Sequence, residues 1–310
     1  MGKFFNRMWS GSSMIEPDDM ELPDKPMGFK VIVNEVRHDK VALIAFFVLV
    51  LLVVGIFVAA AVIDENAVTR VDIFNSYTKP GENGYILGAD KGGRPILGQL
   101  IIGARNSIMI GVLVTIITTF VGMTIGLIMG YYGGPVDHII MRIIDFLQIL
   151  PITMIIIVLV VLIPRYNMWS FVGIMSCFYW TGMARLVRSK ALSEGRKDYI
   201  SASKTMGTPP FKIMFGEILP NISSIIIVDS TLTLAANIGI ETGLTFLGFG
   251  LPAKTPSLGT LINYAQDPEV IAGKPYVWVP AVLLLLVFTL SINYVGQAVR
   301  RASDARQRRV

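Results

Sequence analysis

The chain has 310 residues, of which 53% are hydrophobic and only 16% charged, with a net charge of +5 and a mean hydropathy of +0.61. A water-soluble domain carries nearer a quarter charged residues, so much of this apolar material has to face lipid. The single cysteine, Cys177, with only His38 and His138 beside it, excludes an internal disulfide framework and argues against a metal centre.

Residues 1–30 hold Glu16-Pro17-Asp18-Asp19 and Pro23-Asp24-Lys25-Pro26, and read as a mobile tail within a polar 1–40 segment. Residues 41–63 then run 23 positions without a charge. At 1.5 Å per residue they reach about 34 Å, enough to cross a hydrocarbon core of roughly 30 Å. A cleaved signal peptide ending at Ala59-Ala60-Ala61 fits poorly, because the apolar run is too long and its leading segment far too extended. Residues 64–102, rich in Gly, Asp and Lys, read as an external loop. Apolar stretches at 106–131, 143–163, 168–187, 220–240 and 276–298 bring the predicted count to six transmembrane helices in an all-α protein. In the second, Gly122, Gly126 and Gly130 share one helical face, which suits close helix contact in lipid.

Charge sets the orientation. Six crossings put residues 1–40, the 131–142 turn, the 185–217 loop and the 299–310 tail on one side, together with 19 of the 27 Lys and Arg. The positive-inside rule makes that side, and both termini, cytoplasmic. Arg300, Arg301, Arg306, Arg308 and Arg309 then serve as a topological anchor, and nucleic-acid binding is not indicated.

Ionisable groups within spans are functional candidates by default. Asp145 has Arg142 three residues away on the same face, and the two read as a structural pair. Asp229 lies deeper, in a fifth span that also carries Ser223, Ser224, Ser230, Thr231, Thr233 and Asn237. A helix surrounded by lipid would not be so polar. Asp229, Thr233 and Asn237 are therefore candidate pathway-lining residues, facing either water or a partner helix.

Between the fourth and fifth spans, Asp198 is a plausible N-cap for a short helix over residues 199–206, with Gly207 as its C′ residue. Pro210 suits the first turn of a second helix, and Pro220 can open the next span. The short helix would expose Tyr199, Ile200 and Met206 to a groove on a partner. Capping chemistry alone leaves docking and a solvated hairpin equally open.

Ser201-Ala202-Ser203-x-x-x-Gly207, followed by Ile218-Leu219-Pro220, resembles the EAA motif of ABC importer permeases. Serines replace the glutamate and the second alanine, while Ala202, Gly207 and the Leu-Pro pair remain. Further segments resemble the C-type permease subunit of dipeptide/oligopeptide importers. They are 87–94, 103–108, 130–134 with Asp137, Arg142 and Asp145, Trp180 with 184–188, 241–248 and 255–259. The ordered set spans about 85–300.

The resemblance implies a type I importer core over 103–298 preceded by one added helix, in a bacterial inner membrane. It implies coupling to the ATPase through the 189–217 loop, with Asp198, Tyr199, Ser201, Ala202, Ser203, Gly207, Leu219 and Pro220 as the coupling residues. The implied partners are a second homologous permease, two ATP-binding subunits and an extracytoplasmic substrate-binding protein that approaches residues 241–275. The implied cargo is peptide, although relatives carry nickel and other small solutes. No G-x-x-x-x-G-K-[ST] loop occurs, so ATP and Mg belong on the partner subunits and no cofactor is expected on this chain. An ion-coupled transporter using Asp229 or Asp145 would need paired inverted halves, which are not apparent. An intramembrane enzyme would need an HExxH or GxSxG motif, and neither is present.

Overall fold

The computed structural model describes residues 39–164 and 166–307, with side chains as far as Arg301. The tail expected at 1–30 lies outside these residues. Eleven helices are named here: α1 Lys40–Val62, α2 Glu65–Thr69, α3 Ile96–Tyr132, α4 Gly134–Ile149, α5 Ile152–Leu162 and α6 Met168–Glu194, then α7 Asp198–Thr205, α8 Pro210–Phe246, α9 Leu258–Asn263, α10 Pro268–Gly273 and α11 Val279–Gln307. No β-strand is formed among the described residues. Four of the helices (α1, α3, α8 and α11) are long and apolar enough to cross a membrane, or five spans if the bent pair α4–α5 counts as one.

Asp39 starts α1, its carboxylate accepting from the amides of Val41 and Ala42 at 2.9 and 3.2 Å. Helix α3 begins ten residues before the apolar run expected for it, inside the segment read as a loop. Gln99 and Arg105 interrupt this start for a hydropathy reading, although both are bonded within the protein, Gln99 to Asp90 and Arg105 to Glu65, each at 2.9 Å. Asn106 donates to the Pro256 carbonyl at 2.8 Å, and the Ser107 hydroxyl accepts from the Leu258 amide at 3.2 Å.

The third span expected at 143–163 is not one helix. Helices α4 and α5 meet at 80° across Leu150 and Pro151, where proline has no amide to continue the ladder. The fifth differs in the opposite sense. α8 runs unbroken from Pro210, so Pro220 lies within the helix rather than at its start. A π-turn over Ile213–Ile218 widens the backbone just before it, where the ring would clash with a regular turn. The expected basic tail continues α11 as far as Gln307.

The glycines of α3 do form a packing seam. A Cβ on Gly122 would lie 2.6 Å from the Trp180 carbonyl, one on Gly126 2.6 Å from that of Ala184, and one on Gly130 2.5 Å from the Ala191 Cβ. Residue numbers rise together on both sides of the seam, so α3 and α6 run parallel. α8 runs antiparallel to α3, with Thr119 and Ser230 hydroxyls 3.1 Å apart and Asn237 donating to Thr115 at 2.9 Å. Leu232 packs on Gly296, and Ala235 and Ile238 share a core with Phe288 and Ile292, which makes α11 antiparallel to α8. Ile56 joins that core, while Asp39 meets Arg301, so the start of α1 lies beside the end of α11.

Residues 64–95 are an ordered unit around the fully buried Asp90 carboxylate. It accepts from the amides of Gly92 and Arg94, from Arg94 Nε at 2.8 Å, from Gln99 Nε2 at 2.9 Å and from the Tyr264 hydroxyl at 2.7 Å. Burial, reinforced by the Asp90 carboxylate, pushes the Tyr264 hydroxyl up from its ordinary value, so it stays a donor. Replacing Asp90 with alanine is expected to loosen this unit without preventing membrane insertion. Limited proteolysis in membranes should then cut within 64–95 at least tenfold faster; an unchanged rate would contradict the hub role.

Candidate functional site

Two regions contain the residues singled out from sequence. The first is the corner where α6, α7 and α8 meet. Asp198 is the first residue inside α7 and not its cap; that position belongs to Lys197, whose side chain makes no capping bond. The Lys197 carbonyl instead accepts from the amides of Ile200 and Ser201 at 3.1 and 3.2 Å, and Asp198 complements the positive end of the helix. At the other end the expectation holds. Gly207 has φ +78°, its amide reaches the Lys204 carbonyl, and the Thr208 amide reaches that of Ser203, both at 3.1 Å. That paired pattern closes a helix around a left-handed glycine.

The exposed set is not quite the expected one. Tyr199 and Met206 are open to solvent, but Ile200 is fully buried. It packs into a core with Leu127, Val187, Ala191, Ile213 and Ile218, with Leu219 at its margin. An eight-residue helix needs one apolar anchor, and Ile200 supplies it. Ser201, Ala202, Met206 and Gly207 lie on the outer surface, Ser203 is half-buried, and Pro220 is exposed. Lys204 places its ammonium 4.8 Å from the centre of the Tyr131 ring, tying α7 to the end of α3.

Tyr199 is held at two points. Its hydroxyl donates to Glu194 Oε1 at 2.6 Å and accepts from Asn221 Nδ2 at 2.8 Å. Burial and the Glu194 carboxylate push that hydroxyl up, which preserves it as a donor at neutral pH. Glu194 also pairs with Lys197 at 2.9 Å, and Asn221 donates to the Glu217 carbonyl at 2.9 Å. Neither Glu194 nor Asn221 stood out in the sequence, because both contacts join separate helices.

The second region is the polar face of α8. Asp229 is half-buried, with Thr233 within hydrogen-bonding reach one turn on. Asn237 is 1% exposed and bonds Thr115, so it joins α8 to α3 instead of facing open space. Asp145 pairs with Arg185 at 2.7 Å, a partner on α6 that displaces the expected Arg142. Arg188, one turn further along α6, holds both Asp137 oxygens through Nε and Nη2 of its guanidinium.

Glu241 opens the 241–248 motif but was not singled out as an ionisable group within a span, because the fifth span was taken to end at residue 240. It is fully buried, and it accepts from Thr245 at 3.0 Å and Thr242 at 3.2 Å. A glutamine there keeps the shape and the acceptor, whereas a lysine forces an ammonium among hydroxyls. Glu241→Gln should therefore accumulate to near wild-type level in membranes, and Glu241→Lys to less than about a tenth of it. Equal accumulation of the two would show that the site is not closed.

A sequence profile described as "Binding-protein-dependent transport system inner membrane component" matches residues 122–309. The oligopeptide transport system permease protein OppC of Lactococcus lactis subsp. lactis is 49% identical over 88% of this chain and 93% of its own length. The oligopeptide transport system permease protein AmiD of Streptococcus pneumoniae is 34% identical over 88% of this chain and 87% of its own. The dipeptide transport system permease protein DppC of Bacillus subtilis is 32% identical over 89% and 85%. A solved chain of the MetNI methionine ABC transporter, in an inward facing conformation, superposes with a TM-score of 0.54 at 19% identity. The match covers 67% of this chain and 98% of that one. The helices thus adopt the type I ABC permease fold, and the chain belongs to the family of inner-membrane components of binding-protein-dependent transport systems.

Proposed function

We infer that this chain is one half of a peptide-conducting pathway, coupled to separate ATP-binding subunits through α7. The observation that carries the reading is the α6–α7–α8 corner. A short helix anchored by Ile200 and closed by Gly207 presents Tyr199, Ser201, Ala202 and Met206 outward between two long helices. A connection without a partner would not need such a defined end. Peptide is the cargo because relatives at 32–49% identity are named as oligopeptide or dipeptide permeases.

Helix direction supports the reading of six crossings. If α3 crosses the membrane, the parallel α6 beside it crosses in the same sense, so the bent α4–α5 pair has to return the chain between them. The Asp39–Arg301 contact supports an even count with both ends on one side. Lysine and arginine make that side cytoplasmic. An extracytoplasmic binding protein would deliver peptide near 241–275, ATP binding would draw the coupling helices together, and hydrolysis would reset the pathway. Asp229 and Thr233 are the polar groups of this chain proposed to line it. A second, similar permease completes the pathway, and ATP with Mg resides on the ATP-binding subunits.

The test is reconstitution. Proteoliposomes holding this chain, a second permease, the ATP-binding subunits and the binding protein should take up peptide only with ATP. Omitting the ATP-binding subunits should reduce uptake to background. Uptake by this chain alone, or uptake driven by an ion gradient without ATP, would sink the reading.

A further inference from the structure

Among the described residues, the Tyr199 hydroxyl lies where α6, α7 and α8 are joined by a continuous set of polar side chains. Glu194, 8% exposed at the end of α6, accepts its hydrogen bond. Asn221, on α8, donates to its oxygen and, from the same amide nitrogen, to the Glu217 carbonyl. Glu217 sits in the π-turn, where the backbone ladder is already irregular, and its Oε2 is buried without a hydrogen-bond partner among the described residues. The hydroxyl therefore connects the short helix α7 to the π-turn of α8.

The remaining contacts of α7 differ in kind. Ile200 rests in an apolar core, which is non-directional and tolerates sliding. The Lys204–Tyr131 contact is a loose ring contact. Among the described residues, Tyr199–Asn221 is the side-chain hydrogen bond that joins α7 to α8, and it fixes direction as well as distance, because hydrogen bonds weaken steeply when bent.

We propose that Tyr199 and Asn221 act as a positioning latch that carries displacement of α7 into the π-turn of α8, and so links the ATP cycle of the partner subunits to switching of the pathway. This rests on the reading of α7 as the docking helix. Neither residue touches peptide or nucleotide; they act through the helices they join.

The full transporter, reconstituted with its partner subunits, tests the latch through Tyr199→Phe, Asn221→Ala and the double variant. Two quantities are read per assembled complex: peptide taken up per ATP hydrolysed, and the factor by which peptide-loaded binding protein stimulates hydrolysis. Each single variant should lower peptide per ATP by about tenfold, as expected for a hydrogen bond within a charged set. The double variant should fall no further than either single one, since both cut one link. A merely structural role would lower the amount of complex and leave both ratios unchanged. Unchanged ratios in Tyr199→Phe, or losses that add in the double variant, overturn the latch. Should Asn221→Ala fail to assemble, Tyr199→Phe alone decides. A photo-crosslinking side chain at position 206 separates the two levels of the argument. Its failure to reach an ATP-binding subunit in the otherwise wild-type complex removes the docking reading and the latch together. Crosslinking with unaltered ratios removes only the latch.

Discussion

Gly126→Leu is expected to leave almost no folded protein in the membrane. A side chain there would drive into the Ala184 carbonyl at 2.6 Å and the Val187 Cβ at 2.7 Å. The first of these is backbone, and it cannot turn aside as a flexible side chain would. Overpacking of a tight site costs about 1–3 kcal/mol and occasionally more, and this position belongs at the upper end because α3 and α6 would have to part along their seam. In the membrane, close backbone approach is itself a main source of helix association, so nothing else compensates. Gly55→Leu on α1 is the control, since nothing lies within 4 Å of a Cβ at that position. Membrane accumulation should fall at least tenfold for Gly126→Leu and change less than twofold for Gly55→Leu. Similar levels of the two would mean that the seam is not tight.

Gly207→Val should give the opposite phenotype: a protein that inserts and assembles but transports poorly. The obstacle here is conformational, because no atom lies within 4 Å of a Cβ at Gly207. At φ +78° a β-branched residue is strained by about 1–2 kcal/mol, and the two bonds closing α7 are lost as the backbone relaxes. The cost falls on a surface corner and leaves the core around Ile213 and Ile218 intact. Uptake should drop at least fivefold, a factor consistent with that strain, at normal membrane abundance. Alanine, which lacks the branch, should be milder. Normal uptake in Gly207→Val would count against α7 as the docking element.

How much of this was legible beforehand depended on whether a signal was local. The first span was plain, because 23 uncharged residues have few other uses. The glycine seam was equally plain, since a four-residue spacing fixes one face of a helix whatever lies opposite. Gly207 was readable from its own preference for positive φ. The start of α3 was concealed by Gln99 and Arg105, whose polar groups bond to Asp90 and Glu65 within the protein. Pro220 was read as the start of a span and Pro151 was passed over inside one, because a proline does not announce how the chain accommodates it. Proline removes one hydrogen bond in both cases, but the bend at Leu150 accommodates the first and the π-turn the second. Partners distant in sequence were the least accessible. Asp145 meets Arg185 across 40 residues, and nothing near residue 145 announces that choice over Arg142. Ile200 was misjudged because an eight-residue helix carries too few turns for its buried face to appear as a period.

The parallel α3–α6 seam has a mechanical consequence. Two helices whose backbones touch at three successive glycines cannot slide or twist against one another without clashing. They form a strut that translates or tilts as one body. Bending within the chain is then left to the places where the helical ladder is interrupted: the 80° elbow at Leu150–Pro151 and the widened turn at Ile213–Ile218. Any change of shape in this part of the chain is therefore taken up at the elbow or the widened turn, while the strut keeps its form.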